Sequence, residues 1–153
     1  MEINFIANDI VYEVTEDNSY LVGFADDKNE PKEYVIVERA LEFDEQDIKL
    51  GMDSYYFEYS DQSNSGYGLC DKVILRQNEI VFSAKHKCMD DITSITVSYN
   101  ENIIEDYITN THQYSHHARR MHITSRLEHH LGSMIKIHEG KHQGIYQEIT
   151  RRC

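Results

Sequence analysis

"YFEYSDQSNSGYG", residues Tyr56 to Gly68, joins two kinds of sequence end to end. From Ser54 onward, Tyr55, Phe57 and Tyr59 fall on one side, and Ser54, Tyr56, Glu58 and Ser60 on the other. That alternation is the period of a strand with one buried face. The second half, Asp61 to Gly68, is turn chemistry: Asp, Ser and Asn bond to nearby backbone, and the glycines permit positive φ. The stretch is therefore expected to be a strand running into a loop longer than a tight hairpin needs. Such loops, displaying Tyr, Asn and Ser, are also the material of recognition surfaces.

Two ligand readings of the loop fail on chemistry. "DQSNSG", Asp61 to Gly66, matches the start of a calcium loop, but its twelfth place holds Lys72 instead of a bidentate Glu, and its flanks are strands. "GYG" lacks the Lys-Ser/Thr and the helix N-terminus of a phosphate cradle.

Outward from this stretch, β-rich segments recur at Asn4–Ile6, Ile10–Val14, Tyr20–Phe24, Tyr34–Val37, Val73–Leu75, Ile80–Ser83 and Ile92–Tyr99. "RQNE", Arg76 to Glu79, is a hairpin-length link, and "DDKNEPK" a loop marked by the single proline. In "EFDEQDIKLG" Asp44 can cap a helix, Glu45 and Asp47 suit its first turn, and Gly51 ends it. At most about two turns fit before that glycine, so this is a connector.

Beyond Asn100 the period changes. Ile103, Ile104, Tyr107 and Ile108 stack at helical spacing, as do Met121, Leu127, Leu131, Met134 and Ile135. The expected fold is α+β and mainly β: an antiparallel sheet of about seven short strands, one connector helix and a helical C-terminal extension. The expected organisation is a β-rich domain over residues 1–100, with a His-rich extension over 101–153 packed on or extending it.

Charge divides the chain at the same place. Residues 1–100 hold 21 Asp/Glu against 8 Lys/Arg, a net of −13; residues 101–153 hold 6 against 7, a net of +1, with 8 of the 9 histidines. An acidic body argues against nucleic-acid binding, because phosphate contact needs Lys and Arg. It suits a basic partner, or simply keeps the protein soluble. No apolar run reaches the ~18 residues of a membrane span, and "MEINFIANDI" lacks a basic start and a long apolar core, so no membrane association and a cytoplasmic location are expected. Cys70, Cys88 and Cys153 are an odd count with no CxxC spacing and read as thiols of a reducing compartment.

Catalytic motifs are weak. "HEGKH", His138 to His142, satisfies H-E-x-x-H, in which His138 and His142 would bind zinc with Glu139 as base, but Gly140 interrupts the required helix. Histidines are so dense here that His112 and His116 form a second pair at the same spacing. His86 and Cys88 sit in a polar link with nothing to form an oxyanion hole. No cofactor is expected. A zinc hydrolase and an oligomerisation module, in which the C-terminal helices pair with a second copy, remain the alternatives from other functional classes.

The linked pieces "GFADD", "RALEFDEQDIKLGMD", "YYFEY" and "DQSNSGYG", within Val22 to Gly68, resemble the immunity protein 10 family of bacterial polymorphic toxin systems. With the strands that follow, the likeness covers about the first hundred residues. The family pattern tends to continue with a further glycine where this chain has Leu69 and Cys70, and the segment from Glu101 onward falls outside it. The resemblance implies a small β-rich intracellular protein, encoded beside a toxin, that neutralises it by occlusion without catalysis. A basic nuclease is one such toxin that an acidic body would meet at a high on-rate. Glu58, Asp61, Gln62, Asn64 and Tyr67 are the expected contacts, with Tyr67 either the anchor or folded back on its own sheet.

Overall fold

The computed structural model describes residues 1–76, 78–85, 89 and 91–100, together with the backbone of 147–150. In chain order the elements are β1 (Glu2–Ala7), β2 (Asp9–Val14), β3 (Ser19–Ala25), β4 (Tyr34–Ala40), α1 (Glu45–Leu50), β5 (Tyr56–Tyr59), β6 (Asp61–Tyr67), β7 (Cys70–Arg76), β8 (Glu79–Ala84), β9 (Ser94–Tyr99) and β10 (Gln147–Thr150). They build two five-stranded sheets: the first in the order β1-β9-β8-β7-β10, the second in the order β2-β3-β4-β5-β6.

The expectation of one antiparallel sheet of about seven strands is corrected in three ways. First, the β1–β2 segment serves both sheets. The Asn8 backbone N–H donates to the Ala25 carbonyl at 2.8 Å, and its side-chain amide to the Asp26 carbonyl at 2.8 Å. The chain is thereby passed from β1 in the first sheet to β2 in the second. Second, β1 pairs with β9 in parallel, from Glu2 beside Ser94 to Ala7 beside Tyr99. Thr93 helps to fix that register, its N–H donating to the Met1 carbonyl at 2.7 Å and its hydroxyl at 3.0 Å.

The third correction is the opening stretch itself. Asp61–Tyr67 is not a loop but the edge strand β6, paired antiparallel with β5. Ser60, at φ 52°, makes the reversal almost alone, and the register slips between Glu58 and Tyr59. Asn and Ser lack the apolar alternation that marks a strand, but an edge strand with one ladder needs little side-chain burial. Gly68, at φ 67°, then turns the chain into β7 of the other sheet, its N–H donating to the Tyr55 carbonyl at 3.0 Å.

Both sheets bury the side that period two predicts. Phe5, Val73, Leu75, Ile80, Phe82, Ile95 and Val97 come from the first, and Val22, Phe24, Val35, Val37, Phe57 and Tyr59 from the second, all in one core. Phe82 joins the layers, with its ring 6.2 Å from Phe24 and 5.4 Å from Phe57. Each such side chain contributes about 1.5–3 kcal/mol by leaving water. Met89 and Ile92, before β9, are buried in the same core.

Helix α1 joins β4 to β5. The Asp44 carboxylate accepts the backbone N–H groups of Gln46 at 2.7 Å and Asp47 at 2.8 Å, while Asp47 accepts that of Asp44 at 3.0 Å, a reciprocal capping box. Gly51, at φ 70°, closes the other end. The helical patterns at 101–135 lie outside the described residues, but Gln147–Thr150, within the extension expected to be helical, is a strand antiparallel to β7.

Candidate partner-binding face

Period two sorts the second sheet into an inner hydrocarbon face and an outer polar one. Register places Leu21, Glu38, Tyr56 and Tyr67 side by side across β3, β4, β5 and β6, with Ile36, Glu58 and Ser65 forming the next row. Phe57, between Tyr56 and Glu58, is buried, so those two neighbours point outward.

The outer face is organised by tyrosine–carboxylate hydrogen bonds. Glu58 accepts the hydroxyls of Tyr34 at 2.7 Å and Tyr56 at 2.6 Å. The bond to Glu58, followed by burial, pushes Tyr34 up to about 12, because ionising the phenol would set two negative charges side by side. At the sheet margin Tyr59 donates to Glu33; burial first and that bond second push Tyr59 up to about 12 as well. Tyr56 also meets a further tyrosine, Tyr67, edge to face at 5.6 Å between ring centres.

The five contact residues expected from the sequence do not all share one surface. Glu58 and Tyr67 stand on the outer face, with Tyr67 40% exposed and thus not folded into the core. Asp61 and Gln62 lie exposed at the start of β6, where Asp61 accepts the Ser63 N–H at 2.7 Å and the Gln62 carbonyl accepts the Ser65 hydroxyl at 2.8 Å. The Ser63 hydroxyl and N–H hold the Asp61 carboxyl below the usual carboxylate range. Asn64 is different: its Oδ1 is buried with no hydrogen-bond partner among the described residues.

Glu38, Tyr34 and Asp47 belong to this face and were not among the expected contacts. Glu38 and Tyr34 lie on β4, and its burial alternation and register against β5 place them on the outer side. Asp47 reads from sequence as a helix-start residue alone. In the structure it also lies near enough to Tyr67 to disfavour phenolate there, after burial and Glu38, so the Tyr67 hydroxyl is raised.

His112, His116, His138, Glu139, His142, His86, Cys88 and Cys153 lie outside the described residues. Among the described residues no group of three or more His, Cys, Asp or Glu is placed to hold a metal ion, and no helix is long and apolar enough to cross a membrane. The Cys70 thiol is half-buried and donates to the Lys72 carbonyl at 3.5 Å.

No curated protein and no solved structure matches the chain. The model of one family, immunity protein 10, does match, over residues 6–102, from β1 through every strand of the second sheet to the end of β9. That span is more than half of the sequence, and the chain therefore belongs to the immunity protein 10 family.

Proposed function

We propose that the protein is an immunity protein that binds a cognate bacterial toxin and neutralises it by covering its working surface, without chemistry of its own. Family membership over residues 6–102 carries this reading. The charge distribution supports it: a body of net −13 over residues 1–100 is steered toward a basic surface, such as that of a nuclease. The contacts proposed are Glu58, Asp61, Gln62, Asn64 and Tyr67, on a hairpin whose β5 strand is anchored by buried Phe57 and Tyr59. Tyr67 is the anchor, since large amphipathic rings dominate interface energetics.

The test is co-expression with the toxin encoded beside this gene. Wild type is expected to restore growth, and failure to do so sinks the immunity reading. The double variant Tyr67→Ala/Asp61→Ala is expected to bind that toxin at least about tenfold more weakly, or ~1.4 kcal/mol. Unchanged affinity would move the contact surface off the β5–β6 hairpin.

A further inference from the structure

Between α1 and the outer face of the second sheet lies a recess walled by Glu38, Phe43, Asp47, Met52, Tyr56 and Tyr67. We infer that it seats one cationic side chain, lysine or arginine, of the partner protein. The inference rests on the proposed immunity role and adds to it a second point of contact and the chemistry of its occupant.

Size comes first. The recess has a volume of about 60 Å³, whereas sites for small molecules run to roughly 300–1,000 Å³. On the same measure one water needs roughly 10–15 Å³, so the space, equal to a few waters, admits the head of one side chain and not a metabolite.

The walls then select for positive charge. Tyr56 and Tyr67 are set edge to face at 5.6 Å, and aromatic faces attract cations. Glu38 stands beside Tyr56 in register, and Asp47 enters from α1. Asp47 is held in place because its carboxylate accepts the Asp44 N–H at 3.0 Å. A receptor fixed in advance costs less ordering on binding.

Arg39 also borders the recess, but its guanidinium is already stacked, 5.3 Å from the Phe43 ring and 5.2 Å from the Tyr55 ring. Two carboxylates against one guanidinium leave the recess net negative. The stacked arginine shows that rings in this corner accept a cation. Around the recess, α1 buries none of its residues, and Ile48 and Leu50 are 57% and 63% exposed. An arriving protein would cover them and exclude water from the ion pair, which strengthens it.

The experiment is calorimetric titration of full-length protein with the toxin domain encoded beside its gene, at two salt concentrations. Glu38→Gln/Asp47→Asn is expected to weaken binding at least tenfold and to flatten the salt dependence. Glu2→Gln/Glu30→Gln, which removes the same charge at exposed positions away from the recess, is expected to change affinity less than threefold. Because Asp47 belongs to the helix cap, Glu38→Gln alone, which touches no cap, is measured as well and is expected to lose at least threefold. Equal losses in the recess and control pairs would reduce the effect to bulk charge and overturn the inference, as would unchanged affinity in both recess variants. If wild type itself does not bind that toxin, the immunity reading falls instead, so the two failures are told apart.

Discussion

The two faces of the second sheet are made by the same strands, yet they have opposite jobs. On β5, Phe57 and Tyr59 enter a core shared with the first sheet, while Tyr56 and Glu58 stand outside in a network with Tyr34 and Tyr67. Strand geometry alone makes this division, since adjacent residues point to opposite sides. The inner face sets whether the protein folds, while the outer face holds polar side chains whose replacement costs less stability.

The largest loss is expected from a substitution on the inner face. Phe82→Ala removes the ring that touches both Phe24 and Phe57, and is expected to cost about 3–5 kcal/mol. Against the roughly 5–15 kcal/mol of a typical domain, chemical denaturation should show most of the stability gone. A loss below about 1 kcal/mol, on the scale of a surface change, would mean that the two layers do not depend on this contact.

A smaller effect is expected where the outer face meets α1. Asp44→Ala deletes the cap that serves Gln46 and Asp47, and should cost about 1 kcal/mol. Hydrogen exchange should report faster opening of Glu45–Leu50 with the sheet amides unchanged. If the sheet loosens equally, α1 is part of the global folding unit and not an attachment to the outer face.

The smallest effect is confined to alkaline pH. Tyr34 and Tyr59 are both raised to about 12 in the fold, against about 10 for free tyrosine. A raised value means that the protonated phenol is favoured by folding. The stability these groups contribute is therefore complete below about pH 10 and is lost as pH rises through about 12. Tyr34→Phe should make stability decline less steeply across that window in a circular-dichroism melt series. An identical slope would show that the Tyr34–Glu58 bond is not maintained in solution.

How much of this was legible in the sequence depends on how each residue is held. Phe57 and Tyr59 announce themselves, because strands half in water must alternate. The cap at Asp44 and the stop at Gly51 are likewise local chemistry, readable without any partner. Strand β6 escaped, because Asp61 to Tyr67 is paired through its backbone and has no apolar pattern to betray it. The same holds for the β1–β9 pairing, made between residues more than ninety positions apart.

For the candidate site the division is similar. The linked words from "GFADD" to "DQSNSGYG" pointed to the immunity protein 10 family, which the match over residues 6–102 establishes. Glu58 and Tyr67 were visible as polar and aromatic residues on an alternating strand and a glycine-rich turn. Glu38 reaches the outer face through its register against β5, which nothing local marks, and Asp47 was hidden by the helix-cap role that explains it locally.

By itself, then, the sequence determined the β-rich class, the alternation from Tyr55 to Tyr59, the capped connector and the acidic character of the body, all consequences of short-range periodicity and composition. Only the tertiary structure decided that the strands divide into two sheets and that the turn-like stretch at Asp61–Tyr67 is an edge strand. It also decided that Glu38, Asp47, Tyr56 and Tyr67 surround one recess. Those facts depend on which backbones share hydrogen bonds across long separations, and a side chain carries little record of a pairing that its own burial does not enforce.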